Sequence, residues 1–415
     1  MMQKYQIIIL FFYLLVQTFE YWLKFLNLQY MKKHGMLVPE GFEGYIDEAV
    51  LRKTNAYTIE TSSLSLVESL FGSIVMIVFL FAGILVFYNR WVDSLGLPSV
   101  IKGTVFFLLL TSVNTLLSIP FSLYSTFRIE NKYGFNTMTG KLWLTDLLKS
   151  LLLSAVLLGI ISLGFFSIVQ YSPHYWWLFA WGFFFIFSIF LMYISPYVIE
   201  PLFNKFTPLE GGELVEEISE MMKKVGIRVS RVFAIDASKR SRHTNAYFTG
   251  IGRVKRIVLF DTLIQMMEQG EILAVLAHEA GHWKKKHILK RIVLFELISL
   301  AGAYLSFLVI RSNFLADIFN IQGEAFFAEL AVLGFIYGIA VFPFTPLMSF
   351  FSRRHEDEAD RFAIELTSNP ESLATSLIKL SKDNLSNLHP HPLYSKFYYS
   401  HSPIVERIQR IRGEI

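Results

Sequence analysis

The sequence predicts a mainly α, polytopic membrane protein with a small α+β unit held on one side of the bilayer. Three observations carry that prediction. Of the 415 residues, 53% are hydrophobic and only 17% charged, against about a quarter charged in an ordinary soluble domain. Seven stretches are apolar and long enough to cross hydrocarbon as helices. Between the fifth and sixth lies a polar insert in which helical and strand periodicities alternate. The absence of cysteine excludes disulfides, thiolate nucleophiles and thiolate metal sites. A net charge of +4 is too small for a nucleic-acid footprint, so no nucleic-acid partner is expected.

The spans run Tyr5–Asn27, Leu66–Phe87, Thr104–Phe127, Leu148–Val169, Tyr175–Ile199, Arg291–Ile310 and Ala325–Phe351. The first follows Lys4 as a secretory signal would. Its end, Gln17–Trp22, is bulky and amphipathic and offers no small-residue cleavage site, so it reads as a retained span. Basic residues set the orientation. Loops 29–65 and 128–147, the insert and the C-terminal tail share one side and carry most of the Lys and Arg. The opposite loops hold only Arg90, Lys102 and Arg311. The basic side is therefore expected to be cytoplasmic. Glu68, Asn114, Glu296 and Glu329 fall inside spans, where a polar group is costly, and should face protein or a water-filled space. Pro120, Pro343 and Pro346 should kink their helices.

The expected organisation is 1–199 (spans 1 to 5), 200–290 (the insert), 291–351 (spans 6 and 7) and 352–415 (a tail on the insert's side). Within the insert, Gly212–Val225 has helical periodicity. Arg231–Ile235 and Arg256–Phe260 read as strands, and Asn245–Thr249 as an edge strand. Asp261 should cap a short helix through Met266. A second helix, about Glu271–Lys286, carries His278-Glu279-Ala280-Gly281-His282. Positions i and i+4 share a helix face, so both imidazoles can grip one metal ion. Glu279 beside them can take a proton from a water held by that metal.

A hydrolytic zinc site normally has three protein ligands and leaves a position for water. Downstream candidates for the third are His287, His355, Glu356, Glu358, Asp360 and His401. His287, about half a helical circumference from His278, cannot share its face. Glu356 and Asp360 stand at i and i+4 of an acidic helical stretch after span 7. One could bind the metal while the other holds a ligand imidazole by its second nitrogen. A solvated acidic face is the alternative.

These motifs, with Lys132–Asn136, Pro201–Phe206, Ser238–Ser241, Asn245–Phe248, His401-Ser402-Pro403 and Glu406-Arg407, resemble the type I CAAX prenyl protease family. Its members are integral-membrane zinc enzymes of gluzincin type, which mature yeast a-factor and prelamin A. The resemblance implies one zinc per chain, held by His278, His282 and Glu356, with Glu279 as general base. It implies that Asp360 orients a ligand histidine or assists protonation of the leaving group. It places Asn245-Ala246-Tyr247 on the edge strand that receives the substrate backbone, and His401 and Arg407 near the scissile carbonyl. The implied fold is a ring of seven helices around an intramembrane chamber, with the zinc unit at its cytoplasmic end. This chain departs from the family pattern at Ser402, where a second proline is common, at Asp357, where an aromatic is usual, and in a short Arg311–Glu324 loop.

The expected function is that of a zinc-dependent membrane endopeptidase. Its expected substrates are prenylated CAAX-type or other membrane-associated proteins, cut near the C terminus by a Glu-activated, zinc-bound water. The expected location is the endoplasmic reticulum membrane in a eukaryote or the inner membrane in a bacterium. The nearest alternative is a general quality-control protease resembling the HtpX-like enzymes, which usually have fewer spans. A transporter or receptor with a structural metal leaves Glu279 without a role.

Overall fold

Seven membrane-length helices dominate the computed structural model, which describes residues 2–250 and 254–413. They are span 1, Lys4–His34; span 2, Glu48–Phe81; span 3, Ser99–Tyr133; span 4, Gly140–Tyr171; span 5, Trp176–Phe203; span 6, His287–Arg311; and span 7, Phe326–Thr367. Asp47 starts span 2 by accepting the Val50 amide at 2.8 Å. Gly83, at φ 84°, separates it from a short helix at Ile84–Asp93. The apolar run read as Leu66–Phe87 is thus two helices, divided where glycine takes the left-handed backbone without strain. Pro120 is followed by a wide-turned segment at Ser125–Glu130, and Pro343 lies in a 3-10 turn at Phe342–Phe344. Pro346 sits in the first turn of Thr345–Thr367, where its missing N–H costs nothing. That helix runs unbroken through residues 351 and 352, so the acidic stretch is the extension of span 7.

Each span packs on its neighbour in sequence, and span 7 returns to span 1, which closes a ring. Only 6–17% of the residues in each span's apolar window are buried. A packed bundle would hide a whole stripe of every helix, so the ring is hollow. Buried apolar side chains gather at its ends instead. Away from His278, Phe106, Phe165, Phe166, Trp176 and Phe327 form an aromatic plug with Leu85 and Ile318. Gly103 makes room for it, since a Cβ there would meet the Phe166 and Phe327 rings at 2.6 Å. At the other end the insert and tail share one core, including Ile218, Met222, Ile257, Leu276, Leu373 and Ile408.

Of the polar residues inside spans, Glu68 lines a cavity of about 400 Å³ together with Ser65, Ser118 and Ser122. Asn114 is exposed and Glu296 half-buried. Glu329 is buried and accepts the Ala316 amide at 3.1 Å, so it faces the protein of the plug.

The insert's sheet has the order β1-β2-β4-β3, with β1 Phe206–Pro208, β2 Arg228–Ile235, β3 Ala246–Thr249 and β4 Val254–Phe260. β2 and β4 are parallel, and the two outer strands antiparallel to their neighbours. β3 is the edge strand that its alternation predicts. β1, three residues long, is too short to show alternation and escapes sequence reading. Asp261 does not cap the helix Asp261–Met266 but opens it, and its carboxylate accepts the Ser238 amide at 3.0 Å.

Several of the family-like motifs outside the zinc pair clamp this unit to the ring. Asn136 bridges to Ser241, and the Thr137 hydroxyl donates to the Ser238 carbonyl at 2.7 Å. Arg240 grips Asp146 of span 4 with two donors, at 2.8 and 3.2 Å. The Tyr247 hydroxyl on β3 donates to Glu200 near the end of span 5 at 2.7 Å.

Candidate metal centre and catalytic cleft

The motif helix, Gln269–Lys284, begins with a reciprocal cap in which Glu268 accepts a backbone amide and Glu271 accepts the Glu268 amide at 2.9 Å. Ile272, Leu276 and Ala280 on this helix are buried in the core of the insert. At Gly281 it meets the extension of span 7 almost backbone to backbone. A Cβ there would lie 3.0 Å from the Ala359 Cα and 3.2 Å from its carbonyl oxygen. This approach delivers Glu356 to the histidines. Glu356 Oε2 lies 3.2 Å from His278 Nε2, and Oε1 lies 3.3 Å from His282 Nε2. Gly281→Val is expected to cost about 1–3 kcal/mol of stability through overpacking and to weaken zinc binding in a chelator competition. Unchanged affinity would show that helix spacing does not govern the site.

The three side chains fit a metal. The two Nε2 atoms are 3.2 Å apart, and one ligand atom from each of the three residues lies within 4.8 Å of the others. Glu356 Oε2 is buried and receives no hydrogen bond. Three acceptors converging on one point repel each other unless a cation lies between them. Burial disfavours the His278 imidazolium, yet Asp360 and Glu356 raise its pKa to about 9, so the local field favours positive charge. Two imidazoles and one carboxylate are the donor set of a three-ligand catalytic zinc site.

Glu356 and Asp360 take different places around His278. Asp360 Oδ1 lies 2.8 Å from His278 Nδ1, the ring nitrogen that faces away from Glu356. Arg407 holds the same carboxylate with two donors, at 2.9 and 2.7 Å. All three residues are buried.

His282 has its own support, in a residue that sequence reasoning set aside. His287 does lie off the motif face, but not because one helix continues through it. The helix ends at Lys284, Lys286 turns left-handed at φ 58°, and His287 opens span 6. The turn brings His287 Nδ1 to 3.0 Å from His282 Nδ1, and His287 Nε2 to 3.1 Å from Glu358. His355 stacks on the same ring at 4.1 Å. Lysine rarely adopts this backbone, so Lys284-Lys285-Lys286 gives no sequence signal for the break.

Asn245, His278, Glu279, His401 and Arg407 line one cleft of about 140 Å³, adjoined by a larger hollow of about 590 Å³ that Asn245, His401 and Arg407 share. Burial raises the Glu279 pKa above the usual carboxylate range, against the pull of His278 and His282. Asn245 leads into β3, its carbonyl accepting the Phe260 amide at 3.1 Å. The His401 side chain is 58% exposed, with Nε2 3.4 Å from Glu356 Oε2 and Nδ1 3.0 Å from the Ser400 hydroxyl. Two of the three departures from the family pattern meet here. The Ser402 hydroxyl donates to Asp357 at 3.5 Å, and Asp357 also pairs with Arg410.

Comparison with known proteins agrees with this geometry. Residues 27–205 match the model of the CAAX prenyl protease N-terminal region, described as five membrane helices. Residues 208–415 match peptidase family M48. A CAAX prenyl protease 1 homolog of Arabidopsis thaliana is 35% identical, covering 97% of this chain and 96% of its own length. CAAX prenyl protease 1 of Saccharomyces cerevisiae is 34% identical over 92% of this chain and 89% of its own. A crystal structure of S. mikatae Ste24p superposes with a TM-score of 0.89 at 33% identity, covering 98% of both chains. The chain therefore belongs to the CAAX prenyl protease family of M48 peptidases and is a membrane-embedded zinc metalloendopeptidase.

Proposed function

We propose that the enzyme cleaves CAAX-type, prenylated protein substrates near their C terminus, on the cytoplasmic side of its membrane. The observation that carries this reading is the shared cleft. Glu279, His278, Asn245, His401 and Arg407 converge on it beside β3, the outer strand of the sheet. A hollow ring below gives a lipid-modified peptide an apolar place to lie. Two relatives that match along nearly the whole chain are named CAAX prenyl protease 1 or a homolog of it.

Zinc held by His278, His282 and Glu356 would supply a Lewis acid that polarises the scissile carbonyl and makes water acidic near neutral pH. The chain's own groups do the rest. Substrate backbone adds to the open edge of β3, which fixes the scissile bond in register. Asp360 holds His278 by Nδ1 and so keeps Nε2 free for the metal. Glu279 accepts the proton of the attacking water and later delivers it to the leaving amine. His401 donates to the developing oxyanion, and Arg407 adds positive charge from its buried seat beside Asp360.

The decisive experiment offers purified enzyme a farnesylated CAAX peptide and its unprenylated twin. Burial of the isoprenoid is expected to raise kcat/KM by at least about tenfold. Equal rates would instead indicate a general membrane-protein protease. Reporter fusions to the C-terminal tail are expected to report the cytoplasm, of the endoplasmic reticulum in a eukaryote or the inner membrane in a bacterium.

A further inference from the structure

A second concavity on the same side of the membrane carries positive charge that the peptidase chemistry does not use. It encloses about 570 Å³ where span 4, the end of span 5 and the sheet meet. Lys149, Lys205, Lys239, Arg240 and Arg256 line it, against the single carboxylate of Asp236. Arg240 is neutralised by Asp146 at 2.8 Å, and Asp236 accepts the Lys205 backbone amide at 2.6 Å. Among the described residues, Lys149, Lys205, Lys239 and Arg256 form no ion pair.

Two of these cations are held in place without being neutralised. Lys149 Nζ donates to the Leu202 carbonyl at 2.8 Å. Arg256 donates to the Pro196 carbonyl at 3.0 Å, its guanidinium packed over the Tyr197 and Phe233 rings at 4.9 and 4.4 Å. A guanidinium has five N–H donors and an ammonium three, so both retain donors for an anion. Lys205 and Lys239 are exposed at the rim.

The surroundings choose among anions. Lys149 lies about 14 Å along span 4 from its start at Gly140, between the exposed Leu148 and Leu152. Leu202 and Tyr197 are also exposed beside it. The hollow therefore has a cationic floor and an apolar edge where the apolar stretch of span 4 begins. A free phosphate would use the first and not the second. Basic pockets beside transmembrane helices are a recurring way of holding anionic headgroups.

We propose that this concavity seats the phosphate of an anionic phospholipid from the leaflet on the zinc side, with its acyl chains along Leu148, Leu152 and Leu202. The headgroup bridges span 4, span 5 and β4, and holds the sheet against the ring independently of the cleft. The test is native mass spectrometry of the full-length protein titrated with phosphatidylglycerol, phosphatidylcholine or inorganic phosphate. Wild type is expected to hold phosphatidylglycerol at least about tenfold more tightly than phosphatidylcholine. The double variant Lys205→Gln/Lys239→Gln should lose that preference while keeping its zinc, and Lys149→Gln, on a different element, should weaken it too. Equal retention of both lipids by wild type, or retention unchanged in both variants, overturns the proposal. Inorganic phosphate binding as tightly as the lipid overturns the lipid assignment.

Discussion

Glu279→Gln is expected to leave zinc bound and to lower kcat for peptide hydrolysis by roughly two to four orders of magnitude. The substitution keeps the shape and removes only the basic oxygen. Glu279 is not among the three clustered ligands, so the metal has no reason to leave. Its carboxyl lines the cleft next to His278, where the attacking water must be deprotonated. Burial makes that carboxylate more basic than a surface one, which suits it to take a proton. Zinc content and kcat measured on the same preparation separate the possibilities. Hydrolysis at the wild-type rate would remove Glu279 from the mechanism, and parallel loss of zinc would make it a structural support.

Arg407→Ala is expected to destabilise the fold by about 3–5 kcal/mol, because it strands a buried carboxylate without its partner. The guanidinium makes two hydrogen bonds to Asp360 and lies 3.9 Å from Glu356, and none of the three is exposed. Arg407→Lys keeps the charge but not the forked geometry, and should recover only part of the loss. Thermal unfolding in detergent measures both variants. A stable Arg407→Ala protein with impaired hydrolysis would shift the role of Arg407 from holding Asp360 to contacting substrate. Retained stability and retained activity together would leave the residue without either role.

Much of the site is legible in the sequence because helical spacing is local information. His278 and His282 share a face whatever surrounds them, and Glu356 and Asp360 do likewise on the extension of span 7. The motifs that resemble the family extend that reading to His401, Arg407 and Asn245, which the fold gathers into one cleft. His287 was harder to place, because its role depends on a left-handed lysine that no residue pattern announces. Leu66–Phe87 shows the same limit in the membrane. Apolar length marks hydrocarbon contact but passes over a single glycine that ends the helix.

Sequence alone determined the seven spans, the reaction class and the two histidines, since each depends on composition or on residues within a turn of one another. It was the packing in three dimensions that put Glu356 beside the two imidazole Nε2 atoms and Asp360 behind His278 at Nδ1. That placement depends on how two helices cross at Gly281 and Ala359, far apart in the chain. The structure likewise showed that the ring is hollow, with its buried apolar clusters at the two ends. Span hydrophobicity is the same whether a helix faces lipid, a chamber or another helix, and only the packing tells these apart.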